Sequence, residues 1–384
     1  MNNSTFTSKK TNDDDTTIYT DGKERIAIRW LNHTVDDYLD KTTLIFGGSG
    51  SGKTTMIEEI MYVCKDYIPN YLVIAPKTSD IAYRKKLPDR CIKEDLTKKR
   101  LKQIWNRQVN LTQACSMAND PVILEKLFSR IVDREFEFVI KVMNKRAADR
   151  ISIIEKSDLN FADKKSRITL MEGLKAKRIK RAYKEAIRKH KDRLQKMSGL
   201  SDKEMTALEY IDTSPRLMLI IDDCTEKFQG WMKFFRKGVE DNIFEKIFYK
   251  GRWNNITLVF AAHDDKPIDS ELRKNARVIK YGTGQSLIAS LGKTGNAFNK
   301  TEKKNGEAIA AKIYGGEDSG IKTHKKVCYL RDDPFPWRYT IANTYEDFKL
   351  GSNSLYDLVK KMPKTEEKLE SNPFVKNIIK GKHR

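Results

Sequence analysis

Residues 42–54 read Thr-Thr-Leu-Ile-Phe-Gly-Gly-Ser-Gly-Ser-Gly-Lys-Thr, an apolar run that breaks into glycines and ends on a lysine and a hydroxyl. The run Thr42–Phe46 suits a buried strand entering a tight loop. From Gly47 the chain matches the spacing G-x-x-x-x-G-K-[ST] at every fixed position. The glycines let the backbone curl, so that N–H groups of Gly47, Gly48, Ser49, Gly50, Ser51 and Gly52 point at phosphate oxygens. A helix is expected from Thr54 to Asp66, with Met56, Ile60 and Val63 at helical spacing. Its positive N-terminal end, beginning at Thr54 and Thr55, faces the same anion. Lys53 is placed to reach the β- and γ-phosphates, and the Thr54 hydroxyl to ligate Mg²⁺. The stretch therefore reads as a strand–loop–helix that binds a nucleoside triphosphate.

A second cluster completes that chemistry. Arg216 to Ile221 is a basic residue followed by an unbroken apolar run, and it ends on Asp222 and Asp223. This reads as the strand adjacent to the phosphate loop, with Asp222 at its carboxyl end, where open α/β sheets bind ligands. Asp222 would hold Mg²⁺ through water, and Asp223 would orient and deprotonate an attacking water. The next apolar strand, Ile256–Ala262, ends on His263, a candidate contact to the γ-phosphate or the water. Arg252, just before that strand, and more weakly Arg273 are candidates for an arginine inserted into a neighbouring subunit's site. Asn299-Lys300-Thr301-Glu302 is faintly like a guanine-reading motif but lacks its Asp, which favours ATP over GTP.

The remaining pattern sets the frame. Further buried strands are expected at Tyr71–Ala75 and Arg277–Tyr281. Lys326–Leu330 and Arg338–Ala342 read as a late hairpin around Pro334 and Pro336, and Arg25–Trp30 as an edge strand. Buried strands separated by helices argue for a mostly parallel α/β sheet. The expected organisation is a disordered tail over 1–24, an ATPase domain in two parts over 25–110 and 206–350, a basic helical insertion over 111–205, and a basic C-terminal tail over 351–384. Lys164–Lys196 carries 14 Lys and Arg against 3 acids, about half of the chain's excess charge. Its Lys177, Arg178, Lys180, Arg181, Lys184, Arg188 and Lys189 either line a path for DNA phosphates or grip an acidic protein.

Composition narrows the classes. The 384 residues hold 74 Lys and Arg against 53 Asp and Glu, a net +21 that points to an anionic partner and away from an acidic enzyme. No run approaches the roughly 18 apolar residues of a membrane span, and Met1–Thr17 lacks the apolar stretch of a signal peptide. The chain is expected to be soluble and intracellular. The five cysteines, Cys64, Cys91, Cys115, Cys224 and Cys328, are dispersed and form no C-x-x-C pair, so neither zinc nor disulfides are expected.

At these residues the chain resembles the viral genome-packaging ATPases of the FtsK/HerA superfamily, in particular the poxvirus-type members of double-stranded DNA viruses. The likeness is carried by the phosphate loop, by Leu219-Ile220-Ile221-Asp222-Asp223-Cys224, by Gly251-Arg252-Trp253-Asn254-Asn255-Ile256, and by Leu272-Arg273-Lys274-Asn275. It covers about residues 25–110 and 210–285. The family usually carries Gln where this chain has His263, and its members have a shorter stretch at 111–205. The resemblance implies a RecA/ASCE-like P-loop NTPase that hydrolyses ATP with Mg²⁺ to move double-stranded DNA. It further implies a homo-oligomeric ring, a pentamer or hexamer, with Arg252 acting between subunits. Capsid or portal-vertex proteins would be partners, and the place of work the virion or the host-cell cytoplasm. Rival readings are a P-loop kinase of a nucleotide or small molecule, a cellular or plasmid-type DNA-transfer ATPase, and a non-catalytic scaffold.

Overall fold

Ten strands form one sheet in a computed structural model of the chain. The structure describes residues 16–20, 25–77, 81–225, 228, 242–266, 268–315, 324–342, 344–345, 348–351 and 356. The strands are β1 (Thr16–Thr20), β2 (Arg25–Trp30), β3 (Thr42–Phe46), β4 (Asn70–Ile74), β5 (Ile92–Lys93), β6 (Leu217–Asp222), β7 (Ile256–Ala262), β8 (Val278–Tyr281), β9 (Lys325–Leu330) and β10 (Trp337–Ile341). Their order is β1-β2-β10-β9-β8-β3-β7-β6-β4-β5. From β8 to β5 every pairing is parallel. β9 runs antiparallel to both β8 and β10, so the late hairpin extends the parallel block. The chain has the α/β P-loop fold: a mostly parallel central sheet of RecA/ASCE type, with a helical insertion.

The apolar runs are continuous because both faces of the sheet are covered. Side chains alternate across it. Leu44, Phe46, Leu219, Ile221, Leu258 and Phe260 join one core. Ile45, Met218, Ile220, Val259 and Ala261 join the other, with Met56, Ile57, Ile60 and Met61 of the Lys53–Cys64 helix.

Three expectations change. β6 is not adjacent to β3, because β7 lies between them and pairs with both. Apolar runs of equal quality carry no information about which strand enters the sheet where. Arg25–Trp30 is not an edge strand, because β2 pairs with β1 and β10. Thr16–Thr20, placed in the disordered tail 1–24, is that added strand, and its Thr, Ile18 and Tyr19 are residues that favour strands. The rest of that tail, and nearly all of the basic tail 351–384, lie outside the described residues.

Residues 106–215 form a second compact unit, wider than the 111–205 expected. The continuous Lys98–Met117 helix runs through the first boundary, so no composition change marks it. At the other end Ala207, Leu208 and Ile211 join this unit's own core with Leu124, Leu127, Ile187 and Leu194. Its helix starts are capped: Asp120 accepts from the Val122 N–H at 2.8 Å with Pro121 at the first position, and Ser201 and Glu204 form a capping box.

One buried ion pair fixes the phosphate-loop helix to the sheet. Lys280 of β8 donates to Glu59 at 2.8 Å, with side chains 0% and 1% exposed. His33 Nε2 lies 3.0 Å from the other oxygen of Glu59, and the Tyr38 hydroxyl donates to His33 Nδ1. Burial first, then the charge of Lys280, hold His33 below its ordinary 6.5, against the opposing pull of Glu59 and Asp37. Burial would raise Glu59, but Lys280 and His33 outweigh it and hold the carboxyl below its ordinary value. Removing one partner strands the other charge. Lys280→Met is expected to cost about 3–5 kcal/mol in denaturant unfolding, with much of it recovered in Lys280→Met/Glu59→Leu. Both folded-state pKa values are depressed, so the stability they contribute is present at neutral pH. Stability should start to fall as pH drops below about 6.5, where unfolded His33 takes up a proton, and fall further as Glu59 protonates. Thermal unfolding against pH checks this, and His33→Gln should flatten the first part of the slope.

Candidate nucleotide site

Gly47 leaves β3 with its N–H bonded to the Ala262 carbonyl of β7 at 3.1 Å. The loop then folds over its own serine. A Cβ on Gly47 would stand 2.3 Å from Ser51 Oγ, and one on Gly282, just past β8, would stand 2.6 Å from it. Ser51 is therefore turned inward, 2% exposed, and serves the loop through its backbone. Gly50 and Gly52 take φ of +72° and +83°, the left-handed region that favours glycine. Gly48, Ser49 and Gly50 form the exposed crest, and Lys53, Thr54 and Thr55 open the helix. Lys53 Nζ donates to the Gly47 and Gly48 carbonyls at 2.9 and 3.1 Å, which holds it under the loop.

The twin aspartates meet this loop. Asp222 ends β6, 2% exposed, and its Oδ2 accepts from the Tyr83 hydroxyl at 2.8 Å. The same hydroxyl lies near the Thr54 side chain, which opposes the rise that burial gives its pKa. Burial raises the Asp222 pKa, and the neighbouring Asp223 charge adds to the rise. The Tyr83 bond and the charges of Lys53 and His263 oppose it. Burial lowers the Lys53 pKa, against the charges of Asp222 and Asp223. Asp223 has φ of +55°, an uncommon backbone for a residue other than glycine, and its Oδ1 lies 2.9 Å from His263 Nε2. Lys53, Thr54, Asp222, Asp223 and His263 thus share one pocket at the carboxyl ends of β3, β6 and β7.

Two buried polar atoms there have no hydrogen-bond partner among the described residues, Asp222 Oδ1 and Ser51 Oγ. Asp222 Oδ1 and the Thr54 hydroxyl are hard oxygen donors. They fit Mg²⁺, which uses one or two protein oxygens and completes its shell with water and phosphate. Among the described residues no group of three or more His, Cys, Asp or Glu side chains is placed to hold a metal alone. The donor set is the sparse one a nucleotide-borne cation requires.

No protein-family model matches the chain. It is 26% identical over 365 residues, 90% of this chain and 94% of the relative, to "Uncharacterized protein B354L" of African swine fever virus, isolate Pig/Kenya/KEN-50/1950. The relative from isolate Warthog/Namibia/Wart80/1980 matches at the same identity and coverage. Among solved structures, the "Cytoplasmic domain of the Thermomonospora curvata Type VII Secretion ATPase EccC" is 12% identical with a TM-score of 0.31, covering 85% of this chain and 28% of that one. The "Plasmid coupling protein TrwB in complex with the non-hydrolysable GTP analogue GDPNP" is 10% identical with a TM-score of 0.33, covering 83% of this chain and 89% of that one. Likeness at that level carries no weight, and the fold rests on the strand order itself.

The other candidates fall elsewhere. Arg252 is exposed, its guanidinium 4.8 Å from the centre of the Trp253 ring. It precedes β7, whose seven residues span about 20 Å, so it stands at the opposite end of the sheet from His263. Arg273 is a correction. Its guanidinium is 9% exposed and donates to Asn296 Oδ1 and to the Asp265 and Ile268 carbonyls. A side chain so held cannot reach into a neighbour. Asn299 and Glu302 cap the Lys300–Tyr314 helix reciprocally at 2.8 Å, which accounts for the guanine-like tetrad.

Two residues beside the loop carry no motif. One is Tyr83. The other is Lys326 of β9, 2% exposed, which donates to the Gly282 carbonyl at 3.2 Å. Its Nζ would lie 3.8 Å from a Cβ on Gly52, and burial pushes its pKa down. The only signal in sequence was a lysine starting an apolar strand. Lys326→Met should weaken binding of a fluorescent nucleoside triphosphate by about tenfold, the worth of one charge-assisted hydrogen bond. Tyr83→Phe leaves Asp222 without its donor, and should cost about 1–3 kcal/mol of stability in urea titration.

Proposed function

We propose that the chain is an ATP-driven translocase of double-stranded DNA that packages a viral genome into its capsid. It would act as a homo-oligomeric ring of five or six copies, in the virion or the host-cell cytoplasm where virions assemble. The observation that carries the ATPase reading is buried Asp222, held by the Tyr83 hydroxyl within the field of Lys53 beside the phosphate loop, with its Oδ1 lacking a hydrogen-bond partner among the described residues. The loop N–H groups and Lys53 bind the β- and γ-phosphates. Mg²⁺, held by Thr54 and by Asp222 through water, would neutralise phosphate charge. Asp223, steadied by His263, takes a proton from water as its oxygen attacks the γ-phosphorus and the bond to the β-phosphate oxygen breaks.

Three further observations support the finer reading. The net charge of +21 suits a polyanion. The sequence relatives come from a virus. Arg252 lies too far from its own loop to serve it, so a role there requires a second copy. Around Arg252 a cavity of about 400 Å³ also collects Lys274, Arg277 and Arg331, beside Asp40 and Asp332. Capsid or portal-vertex proteins would anchor the ring.

Asp223→Asn should lower ATP turnover by about 100-fold or more while nucleotide binding persists. Long duplex DNA should raise the turnover of the unaltered chain, and absence of stimulation would remove the translocase reading but leave the ATPase one. Arg252→Ala and Asp223→Asn chains, each inactive alone, should regain part of the activity when co-assembled. Failure to complement, in complexes shown to contain both, would place Arg252 outside the neighbour's site.

A further inference from the structure

The 106–215 unit contains a helical hairpin whose outer part has no third layer among the described residues. Its arms, Arg134–Lys156 and Phe161–Lys189, pack on each other, yet Ala147 is the single buried residue of the first arm among those described. In the second arm the buried residues, Ala182, Ala186 and Ile187, all lie near its end. Apolar side chains beyond are open to solvent: Phe138, Ile153, Phe161 and Leu170 are 66%, 69%, 81% and 63% exposed. A helix stripe of this kind is ordinarily buried against another element.

Between the arms runs a groove of about 590 Å³. Phe136, Val139, Met143, Met171 and Leu174 line it with apolar side chains, and Arg146, Arg150, Lys175, Arg178 and Arg181 with cations, together with Glu135 and Glu185. Glu135 is already paired with Lys189 at 3.4 Å. The cations farther along the basic arm are spent inside the unit: Lys184 donates to Asn119 at 2.8 Å, Arg188 to Asp212 at 2.6 Å, and Lys189 pairs with Asp133 at 3.1 Å. What remains is a groove lined by cations together with apolar, methionine-containing side chains.

We propose that this groove receives an acidic amphipathic helix of a partner protein, which completes a three-helix bundle. Duplex DNA presents phosphates to the cations but nothing apolar to the phenylalanine, methionine and leucine side chains beside them. An anionic membrane is flat, whereas the groove is lined from both helices. A helix with leucines on one face and glutamates flanking them satisfies both parts, at the usual 8–10 Å between helix axes. The inference goes beyond the nucleotide chemistry and does not depend on it.

The test is fluorescence anisotropy with the full chain and a panel of labelled synthetic peptides of about 20 residues, helical, leucine-striped and otherwise glutamate-rich. Scrambled peptides of the same composition are the control. At least one amphipathic member should bind, with affinity falling as salt rises, and the scrambled peptides should not. Met143→Asp/Leu174→Asp should weaken binding by about tenfold or more, as should Arg150→Glu/Arg178→Glu, with helical content by circular dichroism unchanged. The proposal is overturned if no member binds, if scrambled peptides bind equally, or if the Asp substitutions leave affinity intact. It is also overturned if duplex DNA or phosphatidylserine vesicles bind this groove more tightly than the peptides, judged by displacement and by loss in the same variants.

Discussion

A carboxylate 2% exposed at the end of a central strand is the constraint around which this molecule is arranged. Burying Asp222 is costly unless its charge is met. The chain meets half of that need. Tyr83 gives one oxygen a donor at 2.8 Å, and Lys53 supplies a positive field from the phosphate loop. The other oxygen has no hydrogen-bond partner among the described residues. A structure selected only for stability would replace such a group with an apolar residue. Its retention beside a glycine loop and a threonine hydroxyl is intelligible when the missing partner is a cation that arrives with phosphate.

The strand order makes that meeting possible. With β7 between β3 and β6, the loop and the aspartate stand two strands apart, roughly 10 Å at the spacing of a sheet. That gap is wide enough for phosphate and metal. His263, at the end of the intervening strand, falls in the middle and reaches Asp223. Direct adjacency of β3 and β6 would have left no such strand end to carry it.

Legibility followed the range of the physics. The phosphate loop, the acidic pair and the alternating burial of β3, β6 and β7 were readable because strand, turn and helix chemistry are local. The position of β7 was not, because strand order depends on contacts between distant segments. Tyr83 and Lys326 were missed for a related reason: each reaches the site from an element with no motif of its own. Arg273 was misassigned because a sequence shows an arginine but not its acceptors. Here Asn296 and two carbonyls consume the guanidinium. The late hairpin was read correctly, since Pro334 and Pro336 sit between two strands that pair antiparallel.

Charge in the helical unit shows why a surplus in sequence is a poor guide to a binding surface. Lys164–Lys196 looks like a uniform polycation. In three dimensions Lys184, Arg188 and Lys189 hold the hairpin base to Asn119, Asp212 and Asp133, and Lys191 joins Arg188 on Asp212. Such contacts are partly open to water, so their main effect is positional. They anchor the arm at one end and leave its outer cations beside apolar side chains. A surface built only for phosphate would place those cations outward and keep leucine, phenylalanine and methionine away from water. The juxtaposition of cations and apolar side chains therefore points to a ligand with both an acidic and an apolar side, which a nucleic-acid backbone does not have.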